Sequence, residues 1–191
     1  MKKSAVILAG VGIALTLWVA TDTTAAVEPE PVLMVEDIQP IEIDRTAEAS
    51  AWLAERGVNV PESIAFECEA AGMHYDLCPE LLEAIAWKES RFTPTAKNGS
   101  FVGMMQMHKS IHKDRIETFG TDPFDPHASI WAAASLLHDL SEEYATEGEP
   151  ADAAVILAAY HGEDNPVGRD PSSYTRTVLE VSEALERIHG K

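Results

Sequence analysis

Between residues 45 and 191, apolar side chains recur every three or four positions, and the stretches that carry them are bounded by helix-ending chemistry. Arg45–Arg56 stops at Gly57, Pro61–Ala71 at Gly72 and Lys109–Phe119 at Gly120. Proline opens Pro61–Ala71 and Pro79–Arg91, Asp125-Pro126 opens a helix running to Tyr144, and Asp170-Pro171 opens the last one. A proline in the first turn loses no hydrogen bond, and a glycine beyond the last turn accepts a left-handed conformation without strain. Pro150–Tyr160 is almost wholly apolar and is expected to be the central buried helix. In the final helix, Tyr174, Val178, Val181, Leu185 and Ile188 share one side. After the turn signals Thr93-Pro94 and Asn98-Gly99, only Ser100–Met107 suggests a short strand or hairpin arm. The expected fold is therefore mainly α, one helical domain with a short β or loop segment.

The amino terminus has a different character. Lys2 and Lys3 precede an apolar or small run from Ala5 to Ala20, and Thr24-Ala25-Ala26 supplies small residues, so residues 1–26 read as an export signal or an N-terminal membrane anchor. Both readings keep the two lysines in the cytoplasm and deliver the rest outside it, so the expected location is extracytoplasmic. Residues 27–44 contain prolines and acidic side chains but no Lys or Arg, the composition of an extended linker. Residues 45–191 are enough for one domain with a real core.

The chain carries 14 Lys plus Arg against 32 Asp plus Glu, a net charge of −18. That balance repels phosphate backbones and excludes a nucleic-acid partner. Cys68 and Cys78 are the only cysteines, on either side of one interhelix turn; in an exported chain they are a disulfide candidate, with a buried free thiol the other reading. His108 and His112 stand four apart but lack a third placed ligand, so no metal site is expected, and no cofactor.

One carboxylate stands out. On Pro79–Arg91, Leu81, Leu82, Ile85 and Ala86 form an apolar stripe, and Glu89 continues it, four residues beyond Ile85 and three beyond Ala86. A carboxyl group on that side faces the interior or a cleft. Burial disfavours its ionised form and raises its pKa, which is what a general acid near neutrality requires.

With Glu89 come Glu89-Ser90, Gly103-Met104-Met105-Gln106, Phe124-Asp125-Pro126, Ala159-Tyr160-His161-Gly162 and Tyr174. In this order and near this spacing, from about Cys78 to Glu180, the chain resembles the soluble lytic transglycosylases, which share the goose-type lysozyme-like fold. The resemblance implies that Glu89 is the catalytic acid and then the base. It implies a sugar groove formed with Ser90, Asn98, Gly103, Met105, Gln106, Tyr160, His161 and Tyr174. Gly103 would let the backbone approach the glycan, and Tyr160 would aim its hydroxyl at the cleft. Spacing alone reads Tyr160, Tyr174 and the methionines as core, and Asn98-Gly99 as a turn. His161 departs from the family's usual Asn, and His108 from its usual Pro.

The implied substrate is the glycan strand of peptidoglycan, cut at the β-1,4 bond from N-acetylmuramic acid to N-acetylglucosamine with closure of a 1,6-anhydro ring. A lysozyme-like muramidase that uses water, and a catalytically silent wall-binding factor, are the two rival readings.

Overall fold

The structure is a computed structural model and describes residues 44–191. The expected signal or anchor, and the linker up to residue 43, lie outside the described residues. The linker's last residue, Asp44, is the N-cap of α1 and accepts the N–H groups of Thr46 and Ala47 at 3.1 and 3.0 Å.

Seven helices and a three-stranded antiparallel sheet follow. They are α1 (Arg45–Glu55), α2 (Glu62–Tyr75), α3 (Pro79–Ser90), β1 (Lys97–Asn98), β2 (Phe101–Val102), β3 (Met107–His108), α4 (Lys113–Phe119), α5 (Pro126–Tyr144), α6 (Ala153–Tyr160) and α7 (Ser173–Ile188). The sheet order is β1-β2-β3, with Asn98 opposite Phe101 and Phe101 opposite His108. The mainly α, lysozyme-like expectation holds, and the β segment takes the form of a small meander.

The central helix is α3, not the segment ending at Tyr160. Every residue from Glu80 to Trp87 on α3 is buried, whereas α6 buries only Ile156, Leu157 and Ala158. Both sequences look apolar, but α3 is enclosed by α2 on one side and α7 on another, which is why even Glu80 and Glu83 are out of solvent. α6 lies across α5 and α7 with one face left outward.

Several boundaries also move. α2 runs through Gly72 to Tyr75 and ends at left-handed Asp76. Gly72 is there for close packing: a Cβ on it would stand 2.8 Å from Leu77 O and 3.0 Å from Pro79 Cγ. The cap of α7 is Ser172, whose Oγ accepts the Thr175 N–H at 3.2 Å, and not the Asp170-Pro171 pair. The α5 start is as expected, with Asp125 Oδ1 accepting the His127 N–H at 3.2 Å.

Cys68 and Cys78 are both free thiols, so the disulfide candidate is not formed. Cys68 is fully buried on the inner face of α2. Cys78 donates instead to Glu80 Oε2 at 3.1 Å. Burial and that carboxylate push the Cys78 thiol up to about 11, which keeps it protonated and unreactive.

Candidate functional site

The last turn of α3 carries Glu89 out of the core. Ser90 Oγ donates to Ala86 O at 3.2 Å and accepts the Thr93 N–H at 3.1 Å. Arg91 and Phe92 then take left-handed φ values of 55° and 59°. Their N–H groups bond back to Trp87 O at 2.9 Å and Ala86 O at 3.3 Å. Two successive non-glycine residues in that region cost roughly 1 kcal/mol or more each. The turn they make brings the β1-β2-β3 sheet alongside the carboxylate instead of leading the chain away from it.

Glu89 opens into a cleft of about 190 Å³ lined also by Asn98, Phe101, Gln106, Met107, His108, His112, Leu136, Tyr160 and His161. It is the one carboxylate in that lining. Tyr174, behind it on α7, donates its hydroxyl to Glu89 Oε1 at 2.7 Å. Burial raises the Glu89 carboxyl above its ordinary value, while the Tyr174 bond, His161 and Lys88 pull the other way and do not prevail. Burial and the adjoining Glu89 push the hydroxyls of Tyr160 and Tyr174 up as well, so both remain neutral donors.

The structure brings Glu89, Asn98, Gln106, Tyr160 and His161 together at this cleft, but not the whole expected set. Ser90 is a helix-end residue bonded to backbone, as above. Met105 is fully buried in the core, so its side chain cannot line a groove. Its backbone serves instead: Met105 O accepts the Tyr160 hydroxyl at 2.7 Å, and Met105 N–H donates to Ser129 Oγ at 3.1 Å. Tyr160 thus turns its hydroxyl toward β-segment backbone and presents its ring to the cleft. Gly103, at φ 79°, is pressed against protein and not held open for a ligand. A Cβ there would meet Pro123 O at 2.3 Å and Ser129 Oγ at 2.9 Å. Tyr174 is 7 % exposed and acts from behind Glu89, not as part of the groove lining.

Gln106 adopts φ 48°, and its Nε2 donates to Gly103 O at 2.8 Å, which fixes the amide at the cleft edge. Sequence reasoning did not assign Phe101, Met107, His112 or Leu136 to the site. Phe101 carried a usable signal, an exposed aromatic on the predicted hairpin arm; it is 46 % exposed and packs edge-on against His108, ring centroids 5.3 Å apart. Leu136 gave none, because it sits on α5 and reaches the cleft only through the fold. Burial, with Arg115 and His108 nearby, lowers the pKa of His112, so this ring is neutral.

A mainly helical domain that sets one carboxylate, its pKa raised by burial, in a cleft beside a small β meander has the lysozyme-like architecture. Residues 67–177 match the transglycosylase SLT domain, and the chain belongs to that family. It is also similar to the peptidoglycan transglycosylase gp16 of Escherichia phage T7, with 33 % identity over 135 residues, 61 % of this chain and 10 % of the phage protein. The chain thus spans about a tenth of the length of that relative.

Proposed function

We propose that this protein is a peptidoglycan lytic transglycosylase that cuts the β-1,4 bond between N-acetylmuramic acid and N-acetylglucosamine. The observation that carries the reading is Glu89: a carboxyl whose pKa burial raises above its ordinary value, braced by Tyr174, in a cleft lined by no second acid. Glu89 gives its proton to the glycosidic oxygen as the bond to C1 breaks. The muramic acid's own acetamido group supports the positive centre that develops. The C6 hydroxyl then attacks C1 while Glu89, now ionised, takes its proton, closing the 1,6-anhydro ring without consuming water. A two-carboxylate glycosidase would need a second Asp or Glu across the cleft, and the lining there is Asn98, Gln106 and imidazoles. The exposed Phe101 ring and the Tyr160 ring offer apolar faces to sugar rings.

Digestion of purified peptidoglycan followed by mass spectrometry tests this. The expected muropeptides are one water lighter than those a muramidase releases; hydrated reducing ends alone would refute the lyase reading. The substrate lies outside the cytoplasm, and Lys2-Lys3 followed by the apolar run to Ala20 supports delivery there, by a signal or an anchor. Cell fractionation should find the full chain in the envelope or the medium; a cytoplasmic pool alone would refute export.

A further inference from the structure

Charge is unevenly spread along this chain. Residues 88–115 contain Lys88, Arg91, Lys97, Lys109, Lys113 and Arg115 but only two acids, Glu89 and Asp114, in a chain where acids outnumber bases by 32 to 14. This basic stretch builds one side of the cleft, from the end of α3 through the β meander to the start of α4. Most of its cations are already engaged. Arg91 sits over the Trp87 ring, Arg115 bonds Ser135 and Asp139, and Lys113 pairs with Glu117 at 3.6 Å. Lys88 faces the Tyr174 ring at 5.9 Å. Among the described residues the lysines that form ion pairs are Lys113 and Lys191; Lys97 and Lys109, both exposed, do not.

The sheet register places these two. Asn98, Phe101 and His108 stand side by side across β1, β2 and β3, and all three line the cleft. Lys97 precedes Asn98 on β1. Lys109 follows His108, and its N–H extends the β2–β3 ladder to Ser100 O at 2.9 Å. One lysine therefore stands on each outer side of the row, two strand spacings or roughly 10 Å apart across the sheet. Neither lines the cleft itself. Their ammonium groups, on flexible four-carbon stems, are placed to meet what projects over the rim and not the sugar within.

A strand of N-acetylated sugars is neutral along its rings. The charges of peptidoglycan are mainly the carboxylates of its peptide stems, which hang from the lactyl group of muramic acid. Such a stem must leave the cleft over the rim. The chain's surplus of acids repels it. At physiological salt, however, charges are screened over about 8 Å, so a stem on the rim feels Lys97 and Lys109 before the acids of distant helices. We propose that Lys97 and Lys109 form a cationic rim that captures the free carboxylates of peptide stems, so that strands bearing charged stems are the preferred substrate. The inference rests on the transglycosylase reading above.

Purified peptidoglycan in two forms tests this with the full chain: one native, the other with its stem carboxylates capped as methylamides by carbodiimide coupling. Wild type should show a KM about 3- to 10-fold lower on the native form, as two exposed charge contacts allow, and added NaCl should erase the difference. Lys97→Gln combined with Lys109→Gln should raise KM on native material to the capped value and remove the salt dependence. The effect should fall on KM and not on kcat, because rim contacts are the same before and during bond cleavage. Lys97→Glu with Lys109→Glu should reverse the preference, a result that lost packing would not produce. A preference that survives in the glutamine variant overturns the proposal. So does loss of binding to anionic phospholipid vesicles in that variant with KM on peptidoglycan unchanged, which would give the rim to a membrane. Cleavage of both forms by wild type with equal KM defeats this inference alone. An active Glu89→Gln, or no cleavage of either form by wild type, defeats the catalytic reading beneath it.

Discussion

Replacing Glu83 with Gln should make the protein more stable at alkaline pH. Glu83 lies on the buried α3, 2 % exposed, and its Oε2 has no hydrogen-bond partner among the described residues. Burial, with Glu80 and Glu69 nearby, pushes its carboxyl up to about 7 from an ordinary 4.5, although His189 and Lys191 pull it down. The folded chain thus holds a proton that the unfolded chain releases. Stability from this group is fully present below the unfolded pKa of 4.5 and is lost as pH rises toward 7. At about 1.4 kcal/mol per pH unit, the whole loss is on the order of 3 kcal/mol, most of it between pH 5 and pH 8. Glu83→Gln keeps the shape and removes the titration. Urea unfolding of both proteins at pH 5 and pH 8 gives a double difference in which every other titration cancels. The variant should gain up to that amount on wild type across the interval. A double difference under about 0.5 kcal/mol would show that Glu83 is hydrated or paired, and that the burial argument is wrong. The adjacent Glu80 behaves oppositely. Burial alone would raise it, but Lys191 and His189, donating at 2.7 and 2.8 Å, together with the Cys78 thiol hold it down to about 2. Its contribution is present above 4.5 and is lost as pH falls through about 2.

Glu89→Gln keeps the Tyr174 contact but cannot donate the proton; turnover of peptidoglycan should fall roughly 100- to 10,000-fold while thermal stability stays near wild type. Tyr174→Phe removes a hydrogen bond that favours ionised Glu89, so the carboxyl should titrate higher and the descending limb of the pH–rate profile should move to higher pH. An unmoved limb in Tyr174→Phe would mean that this bond is absent in solution. Gly103→Ala places a Cβ 2.3 Å from Pro123 O at φ 79°, and unfolding should show a loss of roughly 1–3 kcal/mol or more. Phe101→Ala removes an exposed ring from the cleft lining, so KM for glycan should rise with stability changed by less than about 1 kcal/mol.

What the sequence made legible was whatever depends on local spacing. Glu89 could be placed on the inward stripe because its neighbours at three and four residues are apolar, and the Asp125-Pro126 start reads directly as a cap. The misreadings have one cause in common, which is that the decisive partner belongs to another element or turn and not to the local helical spacing. Gly72 reads as a stop but is a contact with Leu77 and Pro79; Gly103 reads as room for ligand but is a contact with Pro123 and Ser129. Met105 follows a motif glycine and looks like groove lining, yet the neighbouring core takes its side chain and only its carbonyl reaches Tyr160. The higher apolar content of Pro150–Tyr160 pointed to the wrong helix as the enclosed one, because enclosure is set by α2 and α7 around α3.

The burial of α3 also explains how one carboxylate can serve as an acid at all. Buried Trp87, two residues before Glu89, anchors the last turn of the helix; Arg91 sits over the Trp87 ring at 3.7 Å and donates to its carbonyl at 3.0 Å. Arg91 is thereby spent on the helix end and not on Glu89. Lys88 likewise lies 5.9 Å from the Tyr174 ring and does not pair with the carboxylate. An ion pair there would hold Glu89 ionised and abolish its use as a proton donor. The arrangement of Arg91, Lys88 and Tyr174 thus leaves burial as the dominant influence on the group. A lysine able to reach Glu89 would reverse that balance. Asn98→Lys, from across the cleft, should lower the pH at which the descending limb of activity falls, and a limb that stays in place would refute this account of the acid.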